Sequence, residues 1–202
     1  LTMSLLKEIE TGVGIANQSL EFIDYVLVKI DRYKSLQSDK SAYLRLVYLE
    51  VINNLEVLQT IDLGRLKNSK PNEPAIKTVL KLLRTDILES IFYKTESEVS
   101  QKIYDRLKTK GKIDNKYGLL KRLTSKGEEH LTNKSIYENM LQAISFVVTK
   151  VHLLKTLENL DEEEVLVLNN VNIQVRLVNI NQRLLMVKRK LDEFDEIKEM
   201  AR

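Results

Sequence analysis

The sequence predicts an all-α protein, a bundle of four or five long helices carrying a basic, loop-rich excursion. Three observations predict it. Apolar residues recur at helical spacing through most of the chain. The 202 residues include only six Gly and two Pro, too few for the many tight turns of an all-β protein. Polar breaks with capping side chains separate the periodic stretches. The expected organisation is a single helical domain over 1–202, with long bundle helices in 4–95 and 134–200 and a short helix plus basic loops in 96–133. At this length about 70% of the unfolded chain's surface can be buried, so a core forms without covalent staples.

The first predicted helix carries Leu6, Ile9, Val13, Ala16, Leu20, Ile23, Leu27 and Ile30 in an unbroken heptad-like stripe, the pattern of a helix lying along a partner. Gly12 and Gly14 inside it cost about 1 kcal/mol each relative to Ala and suit close helix approach or a bend. Ser38-Asp39-Lys40-Ser41 then offers N-cap side chains. Leu44, Val47, Tyr48, Val51, Ile52, Leu55, Leu58 and Ile61 make the wider face of a second helix. Two prolines in Lys70-Pro71-Asn72-Glu73-Pro74 mark a loop. Pro74 suits the first turn of a third helix that turns Ile76, Leu80, Leu83, Ile87 and Ile91 inward.

Thr95 and Glu98 read as a capping box for a short fourth helix through Val99, Ile103 and Leu107, ending by Gly111. From there to about Asn133 the periodicity dissolves, and Gly118, Gly127, Asp114-Asn115 and Ser125 predict loops. Ser135 and Glu138 read as a second capping box, opening a helix through Met140, Ile144, Val147, Val151 and Leu154. Asp161 and Glu164 read as a third. Residues 165–180 support two readings: Val171, Ile173, Val175 and Leu177 alternate as in a hairpin turning at Asn169-Asn170. Ile173, Leu177, Ile180, Leu184, Val187, Leu191 and Phe194 instead keep helical spacing into the C-terminal segment, and helix is the expectation adopted.

Composition excludes several chemistries. Without Cys there are no disulfides, thiolate nucleophiles or cysteine metal sites, which fits a reducing compartment and makes the cytoplasm the expected location. Only His130 and His152 are present, and neither has Glu three residues before it, so the Glu-x-x-His pairs of di-iron bundles are missing. Both histidines are expected to pack or to sit in solvent. No Gly-x-x-x-x-Gly-Lys phosphate loop and no calcium loop occurs. No cofactor, metal or membrane span is expected. The chain opens on Leu1 rather than Met, so a start at Met3 and the loss of an upstream segment both remain open. Asn53, Asn54, Asn169, Asn170, Asn172, Asn179 and Asn181 are unusual within apolar helices. They are expected to fix helix register, with a polar ligand groove as the alternative.

The sharpest feature is electrostatic. Lys102, Arg106, Lys108, Lys110, Lys112, Lys116, Lys121, Arg122 and Lys126 face only Asp105 and Asp114, giving +7 in a chain whose net charge is +3. Such a field attracts phosphates through counterion release, and Tyr104 and Tyr117 can stack on exposed bases. Lysine dominates over arginine here, as it does on ordinary solvated loops, whereas forked phosphate contacts favour arginine. Leu120-Lys121-Arg122-Leu123-Thr124-Ser125-Lys126-Gly127 resembles the string found near the wing of winged-helix regulators, over these eight residues alone. The segment 95–133 is too short for a complete winged helix with its recognition helix.

The function expected is a non-enzymatic helical-bundle interaction or scaffold protein. It would self-associate through its first and last helices, and its basic segment would meet an acidic partner. The alternative is a nucleic-acid-associated protein contacting phosphates through 102–126. In either case the binding residues are Lys102, Arg106, Lys108, Lys110, Lys112, Lys116, Tyr117, Lys121, Arg122 and Lys126. A third reading is an enzyme using carboxylates and Lys in a bundle groove.

Overall fold

The computed structural model is mostly helical, with two small antiparallel sheets inserted before the last two long helices. It describes residues 39–70, 72–93, 98–115, 117–124, 126–157, 159–160 and 172–201. The predicted first helix with its two glycines, Thr95 of the first capping box, and the third capping box at 161 and 164 lie outside the described residues.

Helix α1 (Lys40–Gln59) starts at the expected polar break. Asp39 Oδ1 accepts from the amides of Ser41 and Ala42 at 2.9 and 3.1 Å, satisfying donors that a helix start leaves open. A 3-10 turn over Leu63–Asn68 follows, and Pro74 opens α2 (Pro74–Leu82). The expected continuous third helix is broken, because Leu83 turns to extended backbone and the chain restarts as α3 (Asp86–Ser90). Two side chains of α1 explain the break. Buried Asn54 takes the place of a backbone neighbour for Arg84, donating to its carbonyl at 2.5 Å and accepting from its amide at 2.8 Å. One turn earlier Glu50 accepts from the amides of Ile87 and Leu88 at 3.1 and 2.7 Å, capping α3 from outside. Burial raises the Glu50 pKa, and these amide donors oppose that rise.

Helix α4 (Glu98–Leu107) forms as expected, with Ile103 and Leu107 buried. The stretch expected to be loops contains three strands, β1 (Lys110–Asp114), β2 (Lys121–Thr124) and β3 (Gly127–His130), and a fourth, β4 (Ser135–Asn139), takes the place of the helix start expected at Ser135. β1 pairs with β4, with Lys112 opposite Tyr137, and the β2–β3 hairpin is nested between them. Strands of four or five residues are too short to show a period, and lysines on their outer faces mask the alternation. Gly118 (φ 63°) and Gly127 (φ 114°) supply left-handed turn positions. Asn115 joins the two sheets. Its Nδ2 donates to the carbonyls of Leu131 and Asn133, and its Oδ1 accepts from the Leu120 amide. The winged-helix-like string falls on this hairpin.

The Ser135–Glu138 capping box is overturned, since both residues belong to β4. The helix starts four residues later, at α5 (Met140–Leu157), with a reciprocal box of its own. Asn139 Oδ1 accepts from the Gln142 amide at 2.7 Å, and Gln142 Oε1 accepts from the Asn139 amide at 3.2 Å. Helix α6 (Ile173–Leu191) begins at Asn172, whose Oδ1 accepts from the Val175 amide at 3.0 Å. Residues 173–180 are therefore helical, and the proposed hairpin turn lies outside the described residues. The short α7 (Asp195–Lys198) and a 3-10 turn end the chain.

α6 lies at the centre, packed against α5, α1 and β1. Its apolar stripe of Ile173, Leu177, Ile180, Leu184, Val187 and Leu191 is fully buried within the same chain. The last long helix thus spends this stripe inside the chain. α5 is long and apolar enough to cross a membrane by length and composition, with a mean hydropathy of 1.2. Here it is a core helix, with Ile144, Val147, Val151 and Leu154 buried among neighbouring elements.

Candidate nucleic-acid interface

Pleating sorts β1 and β4 into two faces. Gly111, Ile113, Ile136 and Glu138 turn toward the body and are buried, while Lys110, Lys112 and Tyr137 turn outward. The inward face needs a glycine. A Cβ at Gly111 would meet Met186 Sδ and lie 2.6 Å from Met186 Cγ, so β1 lies directly on α6. Close approach brings the last turns of α6 beside the outward lysines. The result is a groove of about 230 Å³ lined by Lys110, Lys112 and Tyr137 on the sheet, Arg189 and Lys190 from α6, and Glu193 just past its end. Arg189 anchors its rim, donating to the Lys112 carbonyl at 3.0 Å and pairing with Asp114 at 3.4 Å. Lys190 pairs with Glu193 at 2.8 Å.

The residues singled out from sequence divide. Lys110 and Lys112 line the groove, and Lys108 lies just before β1, its Nζ 2.8 Å from Asp105 and 5.3 Å from the Tyr104 ring. Lys102 is paired with Glu98 on the exposed side of α4. Tyr117 is exposed in the β1–β2 connection, and Lys126 is exposed at the hairpin turn. Lys116 lies outside the described residues. Arg106 holds the fold together. It stacks on the Phe194 ring at 4.0 Å and pairs with Glu196 at 2.5 Å, and Lys40 pairs with the same carboxylate at 3.0 Å. Burial would raise the pKa of Glu196, but its bonds to Arg106 and Lys40 outweigh that and bring it to about 2. Lys121 is paired with Glu128 on the hairpin. Among the described residues no acidic partner is seen for Lys110, Arg122 or Lys126.

Sequence reasoning missed Tyr137, Arg189 and Lys190. The local pattern puts Tyr137 in a helix start; as a strand residue it is 67% exposed, the most exposed large apolar side chain described. Lys188-Arg189-Lys190 is visible as a basic triplet, but only the fold brings it beside Lys110 and Lys112.

Beneath the interface lies a buried clamp. Arg183 of α6 is 1% exposed, and all five of its N–H donors are used. Nε and Nη2 fork onto the Glu138 carboxylate at 2.8 and 3.3 Å, and Nη2 also donates to the Lys121 carbonyl at 2.6 Å. Nη1 donates to Asn179 Oδ1 at 3.0 Å and to the Asn179 carbonyl at 3.5 Å. The guanidinium lies 3.7 Å from the Phe146 ring centre. Burial lowers the Arg183 pKa, and the Glu138 charge opposes this. Asn179 in turn accepts from the Lys121 amide and donates to the Leu119 carbonyl, both at 2.7 Å. The pair therefore holds β4 and the start of β2 against α6.

Among the described residues, no group of three or more His, Asp or Glu side chains converges as a metal site would require. His152 is half exposed beside Thr85 and Glu89. No protein-family model, curated protein or solved structure matches the chain.

Proposed function

We propose that the protein binds nucleic acid without catalysing a reaction, through the outward face of β1–β4 and the end of α6. The observation that carries this reading is the interleaving of exposed tyrosines with lysines. Tyr104, Tyr117 and Tyr137 are all exposed, the first two within the basic stretch 102–126, and Tyr137 shares the groove with Lys110, Lys112, Arg189 and Lys190. Lysines contact the backbone phosphates, and tyrosine rings offer sequence-tolerant stacking platforms for unpaired bases. The chemistry favours single strands, whose bases are free to stack.

Fluorescence anisotropy with single- and double-stranded oligonucleotides over a salt series tests the proposal. Affinity for the single strand should fall steeply with salt. Lys110→Glu with Lys112→Glu should weaken it and flatten the slope, by about 0.7 for each phosphate left without its cation. Tyr137→Ala should cost about 1–3 kcal/mol of binding. Absence of binding at low salt would sink the proposal. The scaffold reading keeps one support, the stripe from Leu6 to Ile30, which remains the candidate self-association element.

A further inference from the structure

In a cluster that shares no residue with the β1–β4 groove, three cations close on one carboxylate. Glu128 of β3 accepts from Lys150 Nζ of α5 through Oε1 and lies 3.3 Å from Lys121 Nζ of β2 through Oε2. Arg176, in the first turn of α6, comes no closer than 3.7 Å through Nη1. That separation is too long for a hydrogen bond, and both Nε and Nη1 of Arg176 are shielded from water without a partner. The Lys150 side chain is 7% exposed and has this carboxylate as its acidic partner. Among the described residues two positive charges are left over, and Arg176 Nε and Nη1 are unspent. The start of α6 adds its positive dipole end. An ion pair matched charge for charge would leave no such surplus; among the described residues this cluster sets three cations on one carboxylate and leaves the Arg176 fork unused.

We propose that Lys121, Lys150 and Arg176 form a binding site for a phosphate dianion, which the Glu128 carboxylate occupies as an internal stand-in. A phosphate has the two charges the cluster lacks and more oxygen acceptors than a carboxylate, enough for all three cations. Entry needs only a side-chain rotation, because the Glu128 and Lys121 side chains are partly exposed while Lys150 forms the floor. While Glu128 occupies the site, apparent affinity is reduced by the fraction of time it is turned in. The phosphate is either free or the terminal monoester of a nucleic acid strand. The site uses α5, the start of α6 and the hairpin, and it does not depend on the β1–β4 interface.

The test is a titration with inorganic phosphate at fixed ionic strength, followed by calorimetry and by the side-chain N–H resonances of arginine and lysine. Glu128→Gln should bind phosphate at least about tenfold more tightly than the parent. Arg176→Gln added to it should abolish the gain. Unchanged or weaker binding by Glu128→Gln, or a gain that survives Arg176→Gln, overturns the site. Should Glu128→Gln fail to fold, the parent protein decides. Phosphate must shift the Arg176 Nε–H and Lys150 resonances, and no shift at saturating phosphate overturns the proposal. A 5′-phosphorylated oligonucleotide compared with its 5′-hydroxyl form separates the sources, since only a strand-end site distinguishes the two. Failure of the β1–β4 reading would show as loss of oligonucleotide binding with the phosphate response intact.

Discussion

Single residues with an apparent mismatch of polarity and position prove to be the ones that shape the backbone. Asn54 and Asn179 stand out in the sequence because amides are costly inside apolar helices, and both are spent on backbone groups of another segment. Their types are legible in the sequence, but which strand or turn they grip is not, because the partner is tens of residues away. Arg183 is the extreme case. Removing it strands the Glu138 carboxylate in the interior, so Arg183→Met should cost about 3–5 kcal/mol in urea denaturation. Arg183→Lys should recover little, since an ammonium cannot reproduce the fork, while Arg183→Met with Glu138→Leu should restore part of the loss. Glu196 sets the acid limit. Its folded pKa of about 2 lies below the unfolded value near 4.5. Its contribution is therefore complete above that value and disappears as pH falls toward 2. Stability measured between pH 5 and 2 should decline less steeply in Glu196→Gln, and parallel declines would contradict the role.

At the scale of elements, the long helices are readable because their apolar positions recur over many turns: α1 begins at the polar break its sequence shows, whereas α6 begins at Asn172, an asparagine expected to fix register rather than to cap. Failures cluster where an element is short or where a neighbour intervenes. The break between α2 and α3 is imposed by Glu50 and Asn54 from α1, and no local signal at Leu83 announces it. The capping box at Ser135 misleads because Asn139 and Gln142 carry an equivalent pair one turn on. Gly111, a helix stop by its local pattern, is instead the residue that lets β1 lie on Met186. Gly111→Val should destabilise the fold by about 1–3 kcal/mol through overpacking. Shortening Met186 to Ala in the same chain should relieve part of that, read as a coupling energy in a double-mutant cycle. Strictly additive costs would show that the strand does not rest on that side chain.

For the molecule as a whole, the basic stretch is legible as charge but not as structure. An arm by its charge, it is built into the body. Arg106 is committed to Glu196, Lys121 to Glu128, and Lys110 and Lys112 join α6 residues some eighty positions away. Proximity of that kind follows from topology, which composition does not encode. The same topology predicts uneven stability. Amides of α5 and α6 should exchange hydrogen only on global unfolding. Those of β2 and β3, whose strand β3 is exposed along its length, should exchange through local opening. Equal protection in the two regions would contradict this picture.

Nesting one hairpin inside another pair of strands also bears on the order of folding events. About twenty residues separate Asp114 from Ser135, and β1 can meet β4 only by closing that loop. If β2 and β3 zip first, the free chain left to close is roughly halved, which lowers the entropic barrier by about 0.6 kcal/mol. The small inner hairpin then serves as a splint that brings distant ends together before α5 and α6 seal them, and the part that is weakest once folding ends is the part that is needed first.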